Sequence, residues 1–205
     1  GPETARHIVR NSAENFAEVS LELCGKSPVV VFEDANLESA VNGSMASIFG
    51  ASGQSCVAGS RIYLHEKIHD KFLADLTART QKIVIGDPLA EETQMGPLCT
   101  LGQLNACETQ VARAIEQGGT VHHGGKQPAH LNAGWFYEPT IVECPDQKME
   151  IVDSEMFGPV LSVLRFKDED EVIAKANDTK YGLASGIFTA DIGRALRVQK
   201  QIRAG

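Results

Sequence analysis

The sequence predicts an α/β fold: a layered, open, largely parallel sheet with helices on both faces. Continuous β-branched runs such as Pro28-Val29-Val30-Val31-Phe32 have the pattern of strands buried on both faces. Such runs alternate with stretches of helical periodicity, the arrangement that packs helices across a parallel sheet. Glycines and capping residues fall where the period changes.

In chain order, residues 5–18 carry Ile8, Val9 and Phe16 among polar neighbours. This predicts a short amphipathic helix leading into Ser20-Leu21-Glu22-Leu23. After the strand at Pro28, Asn36 is placed to cap a helix from Leu37 to Phe49, with Leu37, Ala40, Val41, Ser44 and Ile48 at helical spacing. Gly50 and Gly53 stop it and leave Cys56 in or beside a loop. Arg61 to His65 alternates like a strand, and Asp70 to Lys82 turns helical through Phe72, Leu73 and Leu76. Leu104 to Gln117 predicts a helix that Gly118-Gly119 ends. Later strands are expected over Gly134 to Val142 and Pro159 to Phe166, and later helices over Glu169 to Asn177 and Ile192 to Ile202. No internal repeat or low-complexity tract interrupts the series.

At 205 residues, 42% hydrophobic, the chain can bury a substantial core. A net charge of -8 and a pI near 5.2 repel nucleic-acid phosphates and anionic membranes, so the expected partner is a small molecule. No apolar run has bilayer-spanning length, and the start of the chain lacks the basic-then-apolar order of a secretion signal. Five cysteines without a Cys-x-x-Cys pair argue against a disulfide framework and for a reducing, cytoplasmic setting. Both ends read as cut, which leads us to expect a fragment.

Three segments can carry chemistry. Gly53-Gln54-Ser55-Cys56-Val57-Ala58-Gly59 holds a cysteine among small residues that would let a substrate and backbone amides approach the sulfur. Taken alone, such a cysteine reads more readily as a small buried hydrophobe, and local spacing does not settle the matter. In Leu21-Glu22-Leu23-Cys24-Gly25-Lys26-Ser27-Pro28, Glu22 stands between two leucines. Apolar neighbours could desolvate it toward general-base work, although a single glutamate is usually a solvated edge residue. Asp153-Ser154-Glu155-Met156-Phe157-Gly158-Pro159-Val160 sets an acid beside an aromatic in a turn before a strand. By itself this could be a structural turn.

Together, in this order, these segments resemble the aldehyde dehydrogenase superfamily, whose fingerprints include Glu-Leu-Gly-Gly-Lys-Ser-Pro, Gly-Gln-x-Cys and Glu-x-Phe-Gly-Pro-Val. Glu22 precedes Cys56 by 34 residues and Glu155 follows it by 99, the separations expected for that family. Asn177 to Ala184 resembles its late Tyr-Gly-Leu-Ala segment, and Gly96-Pro97 its mid-domain Gly-Pro. The resemblance spans essentially the whole chain.

It implies an NAD- or NADP-dependent oxidation of an aldehyde to a carboxylic acid. Cys56 would be the nucleophile and Glu22 the base that activates the hydrolytic water. Glu155 would hold the nicotinamide ribose hydroxyls, with Phe157 near the ring and Leu23 and Gly25 along the cofactor. No metal is called for. Residues 1–25 would be the end of a coenzyme-binding domain and 26–205 a catalytic domain truncated before the substrate-tunnel and oligomerisation segment. The full-length parent would be a homo-oligomer, and the fragment alone inactive.

Departures accompany the matches. Cys24 stands where the family has its first glycine, Ser154 replaces a frequent acid and Met156 an isoleucine. Gln103 is a weak match to a ribose-contacting glutamine, and the accompanying lysine is missing. Two other readings compete. His65-Glu66-Lys67-Ile68-His69 literally matches the H-E-x-x-H zinc-hydrolase pattern, which requires both histidines on one helix face. A non-catalytic structural or interaction module is the other.

Overall fold

The computed structural model describes residues 1–205. Six strands form one sheet in the order β3-β4-β5-β2-β1-β6: β1 Pro28–Val31, β2 Arg61–His65, β3 Thr120–His123, β4 Thr140–Glu143, β5 Val160–Phe166 and β6 Gly186–Phe188. All neighbours pair in parallel except β3, which closes one edge antiparallel to β4. The predicted sheet is therefore the observed one.

Seven helices accompany it: α1 Pro2–Ser12, α2 Leu37–Phe49, α3 His69–Thr80, α4 Leu101–Glu116, α5 Glu150–Asp153, α6 Glu169–Asn177 and α7 Ile192–Gln201. Alternate strand residues feed two separate cores. On one face Val29, Val31, Ile62 and Leu64 meet Val41 and Ile48 of α2 and Phe72 and Leu76 of α3. On the other, Val30, Tyr63 and Leu164 meet α4, α6 and α7 through Val111, Val172 and Val198. Burial on both sides explains why these strands are uninterrupted apolar runs.

Side-chain caps fix the helix starts. Asn36 accepts from the Ser39 N–H, Thr100 from Gln103 and Asp168 from Glu171.

Two expectations need correction, and two short elements are additional. The first helix ends at Ser12 rather than at residue 18, and Ser20 to Leu23 belongs to a segment without secondary structure that enters β1. The strand expected from Gly134 begins only at Thr140. Gly134 lies at φ +99° and Pro139 lacks the N–H a ladder needs, so the preceding stretch stays a loop. The short α5 and β6 were not anticipated, because three- and four-residue elements show no period.

Candidate active site

Parallel strands joined by crossover helices all begin at the same edge of a sheet. Here the loops entering β1, β2, β5 and β6 meet at that amino edge, and these loops contain the four matched motifs. The contacts are between backbones. A Cβ on Gly25 would stand 2.5 Å from the Cys56 carbonyl oxygen and 3.1 Å from Cβ of Leu183. A Cβ on Gly53 would strike the Gly158 carbonyl, and Gly53 is itself at φ +70°. Glycine at these two positions is what lets the motif loops touch.

The loop bearing Cys56 is held in an unusual conformation. Ala51 and Ser52 adopt φ of 49° and 54° in the short 3-10 turn Gly50–Gly53. Ser52 Oγ donates to the Gly96 carbonyl at 2.8 Å, and Gln54 Oε1 accepts from the Cys99 N–H at 2.9 Å. The Gly96-Pro97 segment thus serves as a strap across the cysteine loop. Ala58 N–H bonds the Ser55 carbonyl at 3.1 Å, closing a turn over half-buried Cys56, whose own N–H has no acceptor within the chain. Cys56 is partly exposed, and the next residue, Val57, is 53% exposed.

Glu155 comes to the same place. Its Oε1 accepts from the Gly25 N–H at 3.0 Å, and its carboxylate stands beside the Cys24 thiol. That carboxylate and partial burial push the Cys24 thiol above its ordinary range, with a smaller contribution from the nearby Cys56. Phe157, at φ 59°, is 38% exposed, and the Gln103 amide donates to the Met156 carbonyl, tying this turn to α4. Gln103, weak as a ribose contact in the sequence, holds the turn that bears Glu155.

Glu22 and Leu23 lie on the entering segment, and here desolvation fails. Glu22 is solvent-exposed, and Leu21 and Leu23 are each 38% exposed, so leucine neighbours in sequence do not become an apolar wall.

Lys26 was overlooked in the sequence. It is 2% exposed, and burial, aided by the Arg61 guanidinium, pulls its ammonium down to about 8. Buried Arg61 organises the surroundings, donating to the Lys26 carbonyl at 2.8 Å, the Ala176 carbonyl at 3.0 Å and Tyr63 Oη at 3.0 Å. The available signal was that Lys26 and Arg61 each directly adjoin a buried run.

The H-E-x-x-H match dissolves in three dimensions. His65 ends β2 and faces Glu33 at 3.7 Å, whereas His69 opens α3 and bonds Asp70 at 2.9 Å. The two imidazoles sit on different elements against different carboxylates. No group of three or more His, Cys, Asp or Glu side chains is placed to hold a metal.

Fold and site together define an α/β protein with an accessible cysteine, a free backbone donor and an anchored carboxylate where four strand-entry loops meet. Residues 1–205 match the aldehyde dehydrogenase family, and the chain belongs to it. It is 52% identical to (Z)-2-((N-methylformamido)methylene)-5-hydroxybutyrolactone dehydrogenase of Acinetobacter baylyi, over 100% of this chain and 42% of that protein. It is 46% identical to betaine aldehyde dehydrogenase of Brucella anthropi, over 98% of this chain and 42% of that one. Among solved structures, PnpE from Pseudomonas sp. WBC-3 superposes with a TM-score of 0.96 at 43% identity, covering 99% of this chain and 42% of PnpE. Betaine aldehyde dehydrogenase from Staphylococcus aureus in complex with NAD+ gives 0.95 at 41% identity, covering 100% and 41%. The chain therefore spans about 42% of the length of the curated relatives it matches.

Proposed function

We propose that the protein, at the length of its relatives, oxidises a small aldehyde to a carboxylic acid with NAD or NADP, using Cys56 as nucleophile. The observation that carries this reading is the meeting of Cys56, its unbonded N–H and Glu155 at one edge of the sheet.

Cys56 Sγ attacks the aldehyde carbon, and the carbonyl π electrons move to oxygen as the thiohemiacetal forms. The Cys56 N–H is free to donate to that oxyanion. When bound, the nicotinamide ring supplies the acceptor for the hydride that the carbon loses. Glu22 then takes a proton from the water that attacks the thioester carbon. The C–S bond breaks, the Cys56 thiolate returns and the acid departs. Because Glu22 is exposed, its entering segment must bring it over the sulfur for this step.

The residues present suit the cofactor. Glu155 is a carboxylate that makes no salt bridge, anchored through one oxygen to Gly25 N–H, which fits it to accept from ribose hydroxyls. Gly25 leaves empty the space a Cβ would fill beside Cys56, and Phe157 and Leu23 offer exposed apolar surface nearby. In the same reading, residues 1–25 complete a coenzyme-binding portion and 26–205 form the catalytic portion. The 205 residues alone then turn over little aldehyde.

Iodoacetamide labelling of the five thiols tests the nucleophile. Cys107 and Cys144 are buried, and desolvation pushes both thiols up to about 12, so they stay inert. Cys99 is exposed and serves as the unactivated reference. Cys56 should label at least about tenfold faster than Cys99. Equal rates would remove its special status. In the full-length protein Cys56→Ala should abolish NAD(P)H formation with an aldehyde, and full activity in that variant would end the proposal.

A further inference from the structure

Cys24 is unused by the chemistry above, yet its surroundings are those of a partner for Cys56. The adjoining Gly25 packs its backbone onto the Cys56 carbonyl, with the position a Cβ would take only 2.5 Å from that oxygen. Both thiols are half-buried and free, and Cys24 is close enough to feel charge on Cys56. Cys24 is held at φ 69°, a left-handed conformation that strains a side-chain-bearing residue. A glycine there would carry no such strain, and it would also carry no thiol.

We propose that Cys24 is a resolving cysteine: under peroxide it forms a reversible disulfide with Cys56 and protects the nucleophile from irreversible oxidation. The proposal takes from the functional reading only that Cys56 is an accessible thiol. In the first step the Cys56 thiolate attacks one oxygen of hydrogen peroxide, giving Cys56 sulfenic acid and hydroxide. In the second, Cys24 sulfur attacks Cys56 sulfur, the S–S bond forms, and the sulfenic oxygen leaves as water with the Cys24 proton. The Glu155 carboxylate beside the Cys24 thiol is placed to take that proton in passing. Its negative charge, with partial burial, also pushes the Cys24 thiol up, which disfavours Cys24 as the first target of peroxide. A dithiol reductant reverses the bond by exchange.

The experiment is peptide mass spectrometry of the intact protein after hydrogen peroxide, with free thiols blocked before digestion. Tryptic cleavage separates Cys24, in 11–26, from Cys56, in 27–61, and neither peptide holds another cysteine. The expected product is these two peptides joined, lighter by two hydrogens than their sum and released by dithiothreitol. Cys24→Gly, which fits the left-handed backbone, should divert Cys56 to the sulfinic acid under the same dose. Cys24→Ser, which keeps a side chain at that position, should do likewise.

Three results would overturn the proposal. Cys24 could remain fully alkylatable while Cys56 is oxidised to sulfinate at the same rate in all three proteins. Cys56 could lose two hydrogens within 27–61 alone, as a cyclic sulfenamide. A linkage could join either residue to Cys99 instead. Failure of the dehydrogenase reading would be visible separately, as no NAD(P)H formation by a full-length protein in which the disulfide still forms.

Discussion

Where the five parallel strands begin, motif loops pack closely on one another through glycines; where they end, side chains are matched in ion pairs. The amino edge collects the left-handed residues Cys24, Ala51, Ser52 and Phe157, the buried Lys26 and the lone carboxylate of Glu155. At the carboxyl edge Arg194 binds Glu33 at 3.2 Å and Asp34 at 2.9 Å and lies over the Phe32 ring. Nearby, Glu143 accepts from His122 at 2.9 Å and faces Arg165 at 3.2 Å and His69 at 3.4 Å. Burial alone would push the Glu143 carboxyl up, and these three partners outweigh it and hold it below the usual range. The same sheet thus gathers left-handed backbone at one end and two clusters of ion pairs at the other. Strained backbone of this kind concentrates at functional sites.

The largest expected difference between the two edges comes from Gly53→Ala. An alanine there must hold φ +70° and drive its Cβ into the Gly158 carbonyl. Loss of at least on the order of 3 kcal/mol in urea unfolding is expected, together with slower alkylation of Cys56. A stable variant with wild-type labelling would mean that the two loops do not depend on each other.

Lys26→Met sharpens the comparison through pH. A lysine drawn down to about 8 in the fold keeps its usual higher value when unfolded, so between the two the unfolded chain binds more protons. Its burial penalty is complete below about 8 and is relieved as pH rises above it. Relative to Lys26→Met, the wild type should gain stability with rising pH across that window, approaching about tenfold in the unfolding constant per pH unit. Buried Cys107 and Cys144 lose stability from about pH 9 upward in both proteins, so the difference cancels them. A difference that does not vary with pH would show that Lys26 is not buried charged.

The smallest effect belongs to the carboxyl edge. Arg194→Ala should cost about 1 kcal/mol, because its pairs are partly solvated, and the cost should shrink in high salt. Thiol labelling at Cys56 should not change. If Arg194→Ala altered that labelling, the two edges would be coupled through the strands.

The strands and helices that carry the architecture could be read because their apolar patterns are uninterrupted: α2 and α6 run over the residues expected, from capping side chains at Asn36 and Asp168. Cys56 and Glu155 could be singled out because fixed motif distances survive along the chain. The surroundings of those residues could not. The exposure of Glu22 depends on how a segment without secondary structure lies over the sheet, and the burial of Lys26 depends on Arg61, 35 residues away. Neither is a property of local sequence. The contact of Gly53 with Gly158 joins residues so distant that each glycine, seen alone, marks only a turn.

The pairing of β2 with β5 has a consequence in time. Arg61 meets Ser162 at the centre of the sheet, about a hundred residues on, across α3, α4, α5 and two other strands. Closing so long a loop costs entropy before any contact repays it, and folds dominated by distant pairings form slowly. Only when that central pair zips together do the cysteine loop ahead of β2 and the Glu155 turn ahead of β5 become neighbours. Fast alkylation of Cys56 is therefore expected to appear late in refolding, and native-rate labelling before the sheet has formed would contradict this.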